Sequence, residues 1–229
     1  NSFWNPTAES IQKEIGAVTG SLSEQITHNA EGAIPMHTSV FLMIFFWRAG
    51  GLMLVGMALY KWGILSAEKA AAFYKKGMLI GLLLGLAIII WGVYKNVEAG
   101  WSLEFSMFIG SQFNYFGSLG IAFAYICGIM LFAKSDSFKK LKARIAAVGQ
   151  MALTNYISQS LFGVFIFFGI GLGLFGQVER YQQILIVLVI WLIQLAWSKA
   201  WLDRYKFGPL EWLWRSLTYM KKQPMRKSA

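Results

Sequence analysis

The stretch GMLIGLLLGLAIIIWGVY, residues 77–94, decides the fold. It holds no charged residue and no alternation of polar with apolar positions. A helix crossing the roughly 30 Å hydrocarbon core of a bilayer needs about 20 such residues. Within lipid a helix satisfies its own backbone groups, which an isolated strand cannot do. Working outward, four further runs are long and predominantly apolar: Thr38–Tyr60, Phe113–Ala133, Val148–Leu172 and Tyr181–Leu202. The expected fold is therefore all-α, a polytopic membrane helix bundle of about five transmembrane helices.

Composition agrees. Of 229 residues, 56% are hydrophobic and 14% charged, against about 25% charged in a soluble domain. The net charge of +10 comes from basic residues set between the apolar runs, so it speaks for membrane topology and no nucleic-acid partner is expected. The single cysteine, Cys127, lies inside a run and reads as a packing residue. Two histidines, His28 and His37, and no HExxH or paired-carboxylate spacing leave no expected metal site.

Lys and Arg fix an expected orientation. Residues 61–76, 134–144 and 199–229 together carry seventeen of the 21 basic residues. These three stretches fall on one side of a five-span chain, which places the C-terminus in the cytoplasm and the N-terminus outside. Residues 1–36 are polar and acidic. Pro6 and Thr7 suit a helix start, and Ile11, Ile15, Val18 and Leu22 recur at helical spacing. The expected organisation is an external amphipathic segment (1–36), a five-helix membrane domain (37–202) and a cytoplasmic interfacial helix with a basic tail (203–229). The chain begins at Asn1 without a signal peptide, so it reads as a fragment or processed piece of something longer.

Several motifs invite a reading. Gly77, Gly81 and Gly85 lie four apart on one helix face, a pattern that lets helices approach closely in lipid. GIGLGLFG (169–176) contains a literal G-x-G-x-x-G, but a span rather than a strand precedes it, so the glycines read as a turn. Arg48 sits midway along the first run, where an ionisable side chain is expensive and turns to a partner or a polar cavity. Thr154, Asn155, Ser158 and Gln159 form a polar face on the fourth run, and Gln194 and Ser198 match its depth on the fifth. These groups serve either as interhelical hydrogen bonds or as the lining of a polar, ligand-binding cavity open to the cytoplasm. Arg48, Asn155 and Gln159 are expected to line that cavity together.

The closing stretch FGPLEWLWRSLTYMKKQP (207–224) starts a helix at Pro209 and pairs Glu211 with Arg215 at i,i+4. Its rings and cations, Trp212, Trp214, Arg215, Tyr219, Lys221 and Lys222, read as a membrane anchor on anionic lipid.

Three segments carry a resemblance. FGPLEWLWRSLTYMKKQPMR (207–226), VGQMALTNYISQSLFGVFIFFGIGLGLFG (148–176) and MLVGMALYKWGIL (53–65) resemble the YeiB-like bacterial membrane proteins, the family of domain of unknown function 418. The likeness covers that family's C-terminal half and implies a partner, the N-terminal membrane half. The family is similar in layout to membrane acyltransferases of the heparan-glucosaminide acetyltransferase type. That layout implies acyl transfer at or across the membrane, with the catalytic histidine in the other half. No cofactor is expected to be permanently bound, and an acyl-coenzyme A is the expected donor. A small-solute transporter and a structural membrane module are the alternatives.

Overall fold

The computed structural model describes residues 4–227. Thr7 caps helix α1 (Ala8–Thr19), its hydroxyl accepting from the Ser10 N–H at 3.2 Å. The single amphipathic helix expected to run on through Leu22 is broken after Thr19. Ser21 and Glu24 form a reciprocal capping box, the Glu24 carboxylate accepting from the Ser21 N–H at 2.7 Å, and this opens α2 (Leu22–Pro35). The signal was present as Ser-Leu-Ser-Glu. Beyond Pro35, whose ring removes a donor and crowds the preceding turn, the helix is π-wound over Met36–Phe45 and then α-helical in α3 (Phe46–Lys61).

The described residues divide into two compact units, residues 4–38 with 138–227, and Ser39–Ser137. In the Ser39–Ser137 unit, α4 (Ala71–Glu98) packs on α5 (Ser111–Lys134), which a π-wound segment, Phe105–Gly110, precedes. The contact is backbone to backbone. A Cβ on Gly81 would lie 2.6 Å from the Gly120 carbonyl oxygen, and one on Gly85 would lie 2.8 Å from that of Gly117. The small-residue spacing thus does what close packing in lipid requires. At one end of this pair Tyr74 is fully buried against Cys127 and Ile64, and its hydroxyl donates to the Ile64 carbonyl at 2.9 Å. Cys127 is a packing residue.

In the other unit, the expected span Val148–Leu172 is shorter than the sequence suggested. The chain bends at Met151 between α6 (Lys139–Gln150) and α7 (Ala152–Phe167). At 1.5 Å per residue α7 is only about 24 Å long. It ends in a doubled-back turn whose N–H groups close on the last carbonyls of the helix: Leu172 donates to Phe165 at 2.8 Å and Leu174 to Ile166 at 3.1 Å. Gly173 and Gly176 take positive φ there. The Gly169 N–H donates to the Val18 carbonyl at 3.2 Å, tying α1 to this turn. Then follow α8 (Arg180–Arg204) and α9 (Pro209–Thr218).

Among the described residues, four helical stretches are long and apolar enough to cross a membrane: Leu22–Lys61, Ala71–Glu98, Phe105–Lys134 and Arg180–Arg204. The expected count was five. The difference is α7, which is apolar but 16 residues long.

Candidate functional site: a closed amide network and a shared carboxylate

The polar face of α7 meets α8, and Asn155 is the hub. Its Nδ2 donates to Ser198 Oγ at 3.0 Å and to the Val148 carbonyl at 3.1 Å, while its Oδ1 accepts from Trp197 Nε1 at 2.8 Å. The Asn155 backbone carbonyl accepts from Gln194 Nε2 at 2.9 Å and from Ser158 Oγ at 2.9 Å. Gln159 completes the set by donating to Gln194 Oε1 at 2.7 Å. Asn155, Gln194 and Ser198 are buried, at 3%, 2% and 0% exposure. A buried amide left unpaired costs about 1–3 kcal/mol or more. Here both Nδ2 protons and the side-chain oxygen of Asn155 are used. The polar face is filled by its own partners.

Thr154 faces the other way, toward α9. Its backbone N–H, the third of α7, donates to Glu211 Oε1 at 2.9 Å, and its hydroxyl donates to Glu211 Oε2. That same hydroxyl accepts from the Leu210 N–H, the first that α9 offers because Pro209 has none, at 3.1 Å. Two helix N-termini, each with unsatisfied N–H groups and a partial positive charge, therefore share one carboxylate and one hydroxyl. The arrangement is a capping box split between helices 57 residues apart. It explains Gly208, the residue before α9, because a Cβ there would collide with the Glu211 carboxylate. It also corrects the expected i,i+4 pair. Glu211 is turned to Thr154, and the Arg215 guanidinium sits 4.7 Å from the Phe207 ring centroid instead.

Beside this clamp lies a cavity of about 460 Å³ bordered by Thr154, Trp197, Trp201, Arg204 and Tyr205. Trp201 stacks on Tyr205 with centroids 4.4 Å apart. The tail folds back on this end of the unit: Lys206 N–H donates to the Met225 carbonyl at 2.9 Å, and Trp212 Nε1 to that of Gln223 at 2.7 Å.

A family model described as "Protein of unknown function (DUF418)" matches residues 59–221. The chain belongs to this family. It is similar to "Uncharacterized protein YeiB" of Escherichia coli (strain K12), 29% identical over 94% of this chain and 55% of the relative. "Uncharacterized protein YxaH" of Bacillus subtilis (strain 168) is 32% identical over 70% of this chain and 37% of its own length. The chain thus spans about half the length, or less, of the curated relatives it matches. No solved structure matches. The DUF418 match holds every residue of the network and the clamp, whereas Arg48 precedes it.

Arg48 belongs to the Ser39–Ser137 unit, where its guanidinium lies 4.4 Å from the Tyr115 ring centroid and 3.5 Å from Ser118 Oγ. Asn155 and Gln159 find their partners within the other unit. Of the expected anchor residues, Trp214 and Tyr219 are exposed at 67% and 66%, and Lys221 and Lys222 are exposed. Trp212 is half-buried under the tail. Trp197, Gly208 and Glu211 are the site residues that sequence reasoning missed. Trp197 lies three residues after Gln194 and next to Ser198, on the same helix face, so its spacing was the available signal.

Proposed function

We propose that this DUF418 chain is the C-terminal portion of an acyltransferase-like membrane protein, supplying a donor-binding wall and a membrane anchor rather than the reacting groups. The observation that supports this is the cavity beside the clamp. Its aromatic walls, Trp197, Trp201 and Tyr205, suit an acyl chain, and Arg204 at its edge suits the charge of an anionic donor such as acyl-coenzyme A. Acyl transfer needs a positioned base or nucleophile. The amides and hydroxyls of the network are already committed to one another, so the proposal assigns the chemistry to the remainder of the protein.

The anchor reading draws on α9, which exposes Leu213, Trp214 and Leu217 beside Arg215, Lys221 and Lys222. Such a face suits the headgroup layer of a leaflet rich in anionic lipid, with the C-terminus cytoplasmic. In intact cells, a cysteine at Ser102 should react with an impermeant thiol reagent and one at Ser137 should not; the reverse pattern would invert the orientation.

The complete protein in lipid nanodiscs, given radiolabelled acetyl-coenzyme A, should bind it, and Arg204→Gln should weaken that binding several-fold, by the worth of a charge-assisted contact. Solute counterflow without donor binding would favour a permease, for which buried polar contacts between helices are also suitable material. Neither activity would leave a structural module.

A further inference from the structure

The largest apolar cavity described is at the other end of the same unit. It holds about 650 Å³ and is walled by α1, by α7 and by the doubled-back turn that follows α7. Pockets for small molecules run from about 300 to 1,000 Å³, mostly apolar with a few converging polar groups. This one fits that description. Ile11 and Ile15 of α1 face Val164, Phe167 and Phe175. Three polar side chains are among its lining: Glu14, Ser160 and Gln183. Ser160 and Gln183 each donate a long bond, 3.3 Å, to their own chain. Glu14 differs, because no hydrogen bond or ion pair engages its carboxylate among the described residues.

We infer that this cavity binds a single-chain amphiphile with a cationic, ammonium-type head, its tail against Ile15, Phe167 and Phe175 and its head at the Glu14 carboxylate. The tail preference follows from the walls, since apolar area removed from water is worth about 25 cal/mol per Å². The head preference follows from charge. Glu14 is the one charged side chain among the residues lining the cavity, so an anionic head would meet repulsion and a cationic one an unclaimed partner. The wall is also built to stay in place: α1 is held to the turn by the Gly169–Val18 backbone bond. This inference stands apart from the acyl-donor reading, which concerns the opposite end of α7.

The test uses a photo-activatable long-chain alkylamine, with the matching fatty acid as comparison, on the complete protein in neutral-lipid nanodiscs, adducts being mapped by peptide mass spectrometry. Amine adducts should fall on peptides carrying Ile15 and Phe167–Phe175. Gly163→Phe plugs the cavity; a Cβ at Gly163 meets nothing within 4 Å, so the backbone need not move, and labelling there should drop about tenfold. Glu14→Gln, at an exposed and unpartnered position, should cut the preference for amine over acid by about two- to fivefold, the worth of a part-exposed ion pair. Equal labelling by both probes, or labelling indifferent to Gly163→Phe, would overturn the proposal. So would protection of the site by a protein segment cross-linked into it.

Discussion

The two units join helices in opposite ways. In the Ser39–Ser137 unit, α4 and α5 meet through glycines, each seating a backbone carbonyl or an apolar side chain (Ile89, Phe113, Ile121) of the other helix. In the other, α7 meets α8 and α9 through amides, hydroxyls and a carboxylate. Lipid offers no hydrophobic drive for helices to associate, so close packing and interhelical hydrogen bonds are the available forces. Close packing over many glycines gives one rigid contact that tolerates no added atom. A hydrogen-bond network can lose a member and keep the rest. The glycine contact should therefore fail abruptly and the polar one by degrees.

The largest effect is expected at Gly85→Leu. Its side chain would have to occupy the space of the Gly117 carbonyl, and separating the two helices should cost at least about 3 kcal/mol, at the top of the overpacking range. Loss of folded protein in reversible detergent unfolding would show it. Gly208→Ala comes next. It displaces the Glu211 carboxylate from Thr154 and should cost about 2 kcal/mol, the worth of charge-assisted hydrogen bonds; adding Glu211→Ala to that variant should cost little more. Asn155→Ala removes a hub of several bonds, yet membrane hydrogen bonds average only about 0.6 kcal/mol, so about 1–2 kcal/mol is expected. Arg48→Leu is the smallest. Its loss of the Tyr115 contact should cost about 0.5–1 kcal/mol, leaving membrane insertion intact. A near-neutral Gly85→Leu beside an unfolding Asn155→Ala would reverse the comparison.

How much of this the sequence disclosed depends on how local each cause was. The apolar runs gave α4, α5 and α8 to within a few residues at most ends, because twenty apolar residues in a row have few other uses. The glycines of α4 were readable as a packing face for the same reason. The break at Met151 was not. Val148–Leu172 looks continuous, and what divides it is support from afar: Glu211 holds the Thr154 N–H at the start of α7. The polar face of α7 was legible as a face, and Gln194 and Ser198 as its match in depth. Whether it would be hollow or filled was not, since that turns on side-chain partners such as Trp197. Glu211 was misread because its nearest basic neighbour in sequence, Arg215, was easier to see than Thr154, which only the fold brings near.

One carboxylate and one hydroxyl, those of Glu211 and Thr154, hold α7 to α9. A double-mutant cycle on Thr154→Val and Glu211→Gln tests this most directly, each stability read by reversible unfolding of the complete protein in detergent. A coupling energy of about 1.5 kcal/mol or more is expected, as for groups sharing one buried network. Additivity within about 0.5 kcal/mol, the behaviour of independent sites, would contradict it.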